Sequence, residues 1–216
     1  MAIRAYDELY IASAQNVLGH AVDYAVNTLG IDADVFGSAF AVSEISKQFE
    51  IGNPAYVAGM NGCELARAVL DAAHLSYPDQ PDEMYVDKSA QYWAGWALAW
   101  YQWASGVPFT DILKAVSLQE IIQMYPVYHE MDLSQFADRM QEELSRAYPL
   151  TRLQERRLNC GYSQAQLAAN ADVPLRQIQL FEQRQRDINK TSAVTLYKLS
   201  KALHCRMEAL FERETL

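Results

Sequence analysis

Between Gly161 and Glu182 the chain reads Gly-Tyr-Ser-Gln-Ala-Gln-Leu-Ala-Ala-Asn-Ala-Asp-Val-Pro-Leu-Arg-Gln-Ile-Gln-Leu-Phe-Glu, and few arrangements accommodate it. Ser163 is placed to cap a helix in which Leu167, Ala168 and Ala171 recur at three- and four-residue intervals as one buried face. Asp172 and Val173 interrupt that helix. Pro174 fits the start of another, since proline loses nothing where no amide bond is due. Ile178 and Phe181 make its inward side, while Leu175, Arg176, Gln177, Gln179, Leu180 and Gln183 point outward. Two short amphipathic helices joined by a tight turn cannot bury their apolar faces alone. Residues 191–203 and 207–211 supply two more predicted helices whose leucines close a small core.

The outward face of the second helix suits a base-pair edge. Arginine and glutamine each make paired hydrogen bonds to bases, and leucine packs on a thymine methyl, so this helix is predicted to enter the major groove of DNA. The run Arg184-Gln185-Arg186-Asp187-Ile188-Asn189-Lys190 follows as a loop whose cations and amides suit phosphates. Residues 152–212 resemble the five-helix domain of phage repressors and Cro, the xenobiotic-response-type bacterial regulators. Arg157, Gly161, Ser163, Gln164, Leu167, Ala168, Val173, Ile178, Phe181 and Glu182 fall where that family's pattern expects them. The resemblance implies that Leu175, Arg176, Gln177 and Leu180 face bases. It places Gln164, Gln179, Arg184, Arg186, Asn189 and Lys190 near phosphates. Two positions depart from the pattern. Asp172 stands for a turn glycine, which aspartate replaces with little strain because it enters the left-handed region more readily than most residues. Arg184 stands where a glycine commonly ends the recognition helix, so that helix is expected to run on.

Charge separates the two ends of the chain. Residues 1–150 carry 7 basic and 20 acidic side chains, a balance of −13; residues 151–216 carry 11 and 7, a balance of +4. An acidic body with a basic C-terminal module fits a chain in which only the module approaches a polyanion. A balance of +4 is modest for one copy, so a homodimer on a two-fold, double-stranded operator is expected. The expected fold is all-α. An acidic all-helical domain for dimerisation or partner binding spans residues 1–149, and a helix-turn-helix domain spans 150–216.

Ahead of Pro149 the patterning is helical throughout. Ala5 to Leu29 holds Ile11, Val17, Leu18, Ala21, Val22, Ala25 and Leu29 on a helical period, with Gly30 as its stop. Asp32, Ser43, Asn61, Thr110, Ser117 and Asp132 are candidate N-caps. A polar strap from Ser76 to Lys88 is expected on the surface. Ser89 to Thr110 contains no charged residue over 22 positions, yet Gln91, Gln102, Ser105 and Gly106 interrupt it. Its helical part is too short to span about 30 Å of hydrocarbon, so a buried helix is expected and no membrane role. Trp93, Trp96, Trp100 and Trp103, spaced three, four and three apart, form one stripe along that helix. Core packing is the first explanation for this stripe; a partner-binding surface is the second.

Catalysis finds little support. His129-Glu130-Met131-Asp132 lacks the second histidine of a zinc-protease motif, with Leu133 in its place, and no phosphate loop or nucleophile elbow is present. His20, His74 and His204 are isolated, so no metal or cofactor is expected. Cys63, Cys160 and Cys205 show no paired spacing, and reduced cytoplasmic thiols are expected. The acidic N-terminus is unlike a secretion signal.

Asn53 to Met60, the stretch Tyr92 to Ala99 and the fused C-terminal module together resemble bacterial helix-turn-helix proteins of small operons that also encode an ADP-ribosyltransferase-like protein. That resemblance implies an antitoxin that represses its own operon while its N-terminal domain neutralises a protein toxin. A sensor-repressor whose N-terminal domain takes a ligand, and an adaptor without DNA binding, remain open.

Overall fold

The computed structural model describes residues 4–83 and 87–212. Every regular element among them is helical, as the patterning predicts. The described residues up to Ala147 form one compact unit and those from Tyr148 onward a second.

In the first unit the central elements are α1 (Ile11–Asp23) and the tryptophan-bearing helix over Ala90–Ser105. In chain order the elements after α1 are α2 (Ala33–Val42), α3 (Glu44–Glu50), α4 (Pro54–Val57), α5 (Gly62–Ala72), the central α6 (Ala90–Ser105), α7 (Phe109–Ala115), α8 (Leu118–Gln123), α9 (Tyr125–Tyr128) and α10 (Leu133–Ala147). The backbones of α1 and α6 pass so closely that a Cβ on Gly95 would lie 2.4 Å from the Leu18 carbonyl oxygen. Glycine is therefore required at that crossing. Phe36, Phe40, Phe49, Phe109, Phe136 and Leu98 are buried in the shared core, each such side chain contributing about 1.5–3 kcal/mol.

Caps written into the sequence stand where expected. The Asp32 and Ser43 side chains accept amides of α2 and α3. Asn61 with Glu64, and Ser117 with Glu120, form reciprocal capping boxes on α5 and α8, and Asp132 accepts from the Ser134 amide at 2.8 Å. Gly106, at φ 65°, ends α6.

Two helix starts differ from the prediction. The first helix begins at Ile11 rather than Ala5, behind a single 3-10 turn at Glu8–Tyr10 that Asp7 caps. Residues before it are drawn away by α6: the Ala5 amide donates to the Trp103 carbonyl at 3.0 Å, Arg4 to the Ala104 carbonyl, and the Trp103 indole to the Tyr6 carbonyl at 2.9 Å. The first two of those contacts satisfy the Trp103 and Ala104 carbonyls in the last turn of α6. Past Asp23 the helix continues as a π segment, Tyr24–Thr28. Thr110 does not cap α7; Pro108 occupies the cap position, and the Phe109 amide donates to Glu50 Oε1 at 2.6 Å. A carboxylate from α3 replaces the local cap.

The tryptophans do not share one environment. Trp93 is buried with its ring edge-on to Tyr125 and Phe136, and Trp103 is buried beneath the Arg4 guanidinium. Trp96 and Trp100 are half-buried against the same core. Core packing thus accounts for Trp93 and Trp103, while Trp96 and Trp100 reach its edge. Of the strap, residues 76–83 and 87–88 run largely exposed, and 84–86 lie outside the described residues. Arg67 ties the strap down through Asp82 and the Gln80 carbonyl, and also donates to the Tyr24 hydroxyl. Among the described residues no helix is long and apolar enough to cross a membrane.

The second unit contains α11 (Arg152–Asn159), α12 (Gln164–Ala171), α13 (Leu175–Glu182) and α14 (Ala193–Ala202). Single 3-10 turns lie between α13 and α14, at Ile188–Lys190, and after α14, at Met207–Leu210. Its core is Leu153, Leu167, Val173, Ile178, Phe181, Ile188, Leu196, Leu199, Leu203 and Leu210. The helix expected at 207–211 is thus one 3-10 turn, and the one expected over 191–203 starts at Ala193, capped by Ser192.

Candidate nucleic-acid interface

Helix α12 opens on a reciprocal capping box: Ser163 Oγ accepts from the Gln166 amide, and Gln166 Oε1 accepts from the Ser163 amide at 2.8 Å. It ends on Asp172, whose φ of 48° makes the left-handed turn that the sequence predicts. Lys198 of α14 donates to the Asp172 carboxylate at 2.6 Å and to its carbonyl at 3.3 Å. The hydrogen bond and the charge of Lys198 hold the Asp172 carboxyl below its ordinary 3.8. Val173 is buried in the turn, and Pro174 takes the N-cap of α13, one position ahead of the first helical residue.

Helix α13 is tied from below to α11 by a buried ion pair. Arg157 donates from Nε to Glu182 Oε1 at 2.7 Å and from Nη2 to Oε2 at 2.9 Å, and its Nη1 reaches the Tyr162 carbonyl. Gln164 Nε2 donates to Glu182 Oε2 at 2.8 Å, so the first residue of α12 is bonded to the last of α13. Ile178 and Phe181 face the core. The opposite face of α13 presents Leu175 and Arg176 exposed, with Gln177, Gln179 and Leu180 half-exposed. Arg176 has no hydrogen bond or ion pair to the described residues. Beside the helix, Gln177 Nε2 lies 3.4 Å from Thr191 Oγ1.

The expected phosphate-side residues divide. Arg186 is exposed, its guanidinium 5.9 Å from the Phe181 ring centre, and Lys190 is 85% exposed beside Asp187 at 3.3 Å. Asn189 instead closes a two-way bond with the Glu212 backbone, its amide donating to the carbonyl at 2.9 Å and its Oδ1 accepting from the amide at 2.8 Å. Gln164 is committed through its NH₂ to Glu182. Arg184 corrects an expectation. Helix α13 does not run on but ends at Glu182, because Arg184 itself adopts φ 55°, the conformation the absent glycine would have taken. Its guanidinium turns to the carbonyls of Pro149 and Tyr148 at 3.2 and 3.4 Å. Arg176, Leu175, Gln177, Gln179, Leu180, Arg186 and Lys190 therefore form the outward set, while Gln164, Arg184 and Asn189 brace the module.

In the sequence Arg157 and Glu182 stand 25 residues apart with no local sign of their bond; an arginine and a glutamate on otherwise apolar faces is the signal that points to them. Among the described residues no three His, Cys, Asp or Glu side chains converge as a metal site. No protein-family profile, no curated protein and no solved structure matches this chain.

Proposed function

We propose that the C-terminal unit reads double-stranded DNA through the outer face of α13 and that the chain is a transcriptional repressor. The observation that carries this reading is a rigidly held helix whose free face offers Arg176, Gln177 and Gln179, groups able to make paired bonds to base edges. Arg186 and Lys190 beside it supply cations for phosphates. Because the basic excess of one copy is small, two copies bind a two-fold operator. The acidic N-terminal unit, at −13 through residue 150, is suited to a basic protein surface, which favours an antitoxin that occupies the nucleotide cleft of a toxin related to ADP-ribosyltransferases. The reading assigns the chain no catalytic step and places it in the cytoplasm, where its three thiols stay reduced.

The test is affinity capture of the whole chain from its native host, identifying bound protein and DNA. A stoichiometric complex with the product of a neighbouring gene, together with operator DNA from its own promoter, supports the antitoxin. Operator DNA alone supports a ligand-sensing repressor. Neither, with no sequence preference in selection from random duplexes, overturns the DNA-reading assignment.

A further inference from the structure

Residues 76–83 belong to no helix, and all but the half-buried Tyr77 are exposed. Pro78 and Pro81 lend no amide and keep this stretch extended. It lies along one face of α5, where Cys63, Arg67 and Asp71 recur every four residues. The Tyr77 hydroxyl donates to Asp71 Oδ1 at 2.9 Å. The Gln80 carbonyl accepts from Arg67 Nη2 and from the Tyr24 hydroxyl, each at 2.8 Å, and Asp82 Oδ1 accepts from Arg67 Nη1 at 2.5 Å. At the far end the Cys63 thiol donates to the Glu83 carbonyl at 3.7 Å. The strap therefore runs antiparallel to α5, tied by side-chain bonds rather than by a backbone ladder. Arg67 carries most of them: its guanidinium, 5.1 Å from the Tyr24 ring centre, also donates to the Tyr24 hydroxyl. Beneath the strap the Cys63 side chain is fully buried. A segment held by exposed polar bonds and little apolar contact opens at a lower free energy than the core around it.

We propose that residues 76–83 are a strap latched by Arg67, which releases as a unit while the helices beneath stay folded and so uncovers the Cys63–Arg67–Asp71 face of α5. Release breaks the bonds to Gln80 and Asp82 together, because one guanidinium carries both. It leaves Arg67 and the Tyr24 hydroxyl as adjacent donors with a carboxylate and a carbonyl to replace. Asp79, Asp82 and Glu83 swing free as an acidic, extended segment. The closed strap is in this sense an internal occupant of that face. The device lies wholly within the N-terminal unit and needs no DNA.

The full chain is treated with N-ethylmaleimide under native conditions, and modification of Cys63 is followed by peptide mass spectrometry. Wild-type Cys63 should react slowly, at a rate nearly independent of low urea, because strap opening exposes little surface. Arg67→Met should raise that rate about tenfold. Asp82→Asn should raise it about two- to fivefold, and the α1 and α6 amides should keep wild-type exchange protection in both variants. Asp82 is exposed, so its replacement tests the latch even where Arg67→Met weakens the fold. Rising salt should speed labelling of the wild type by screening the half-exposed Arg67–Asp82 pair, and not of Asp82→Asn. Labelling of Cys63 that tracks the loss of α1 and α6 protection along a urea gradient overturns the proposal, since the thiol would then be reached only through unfolding. Wild-type labelling rates in both variants overturn it as well.

Discussion

Arg157 and Glu182, one on the first helix of the C-terminal unit and one on the last residue of α13, meet through two hydrogen bonds of 2.7 and 2.9 Å with side chains only 8% and 3% exposed. The bond orients α13 from its buried side. Replacing one partner leaves the other charge buried and unpaired, so Arg157→Leu should lower the stability of this unit by about 3–5 kcal/mol. Hydrogen exchange of the α13 amides measures the loss. Protection like that of the wild type would mean the pair contributes nothing.

Arg176 is the exposed residue of α13 most able to select a base. Arg176→Ala should cost about 1–3 kcal/mol on the preferred operator and relax the preference there, whereas Arg186→Ala should weaken all duplexes alike and reduce the salt slope by about 1. Titrations of specific and unrelated duplexes at several salt concentrations separate the two effects. Equal losses on both duplexes for Arg176→Ala would remove it from base reading.

Arg184 holds a left-handed conformation that costs a non-glycine residue roughly 1 kcal/mol, and its bonds to Pro149 and Tyr148 are exposed and long. Arg184→Gly should therefore match or slightly exceed the wild-type stability and leave DNA affinity unchanged. A drop in affinity on every duplex, with a shallower salt slope, would return Arg184 to the phosphate contacts.

Glu50 is partly buried, and burial pushes its carboxyl above the ordinary 4.5, against the opposing hydrogen bond from the Phe109 amide; nearby Asp111 raises it further. Because the folded value exceeds the unfolded one, ionisation is harder in the native state. Stability from this group is fully present below the unfolded value and falls as pH rises through the folded one. Glu50→Gln retains an acceptor for Phe109 and removes the charge, so stability measured from pH 4 to 7 should decline less steeply in the variant. Parallel pH profiles would show that Glu50 does not titrate abnormally.

Gly95→Ala places a methyl against the Leu18 carbonyl at the crossing of α1 and α6. Overpacking of that kind costs about 1–3 kcal/mol. Tryptophan fluorescence reads it directly, since all four tryptophans lie on α6, and an unchanged urea midpoint would show that the helices can separate freely.

The amino-acid sequence by itself determined the helical class, most helix ends and the outward face of α13. Those features rest on interactions within a few residues: Asn61 with Glu64, Ser117 with Glu120, Ser163 with Gln166, and a core face repeating every three or four positions. What depended on distant partners was settled only in the tertiary structure. Glu50 caps α7 from 59 residues away, and residues near the N-terminus abandon a helix to satisfy the carbonyls of α6. Gln164 and Asn189 have the polarity of phosphate contacts, yet both side chains are bonded within the bundle. Local pattern reveals which groups a side chain could bond; only packing decides which of them arrives within 3 Å, because a buried polar group takes the partner that desolvation leaves it.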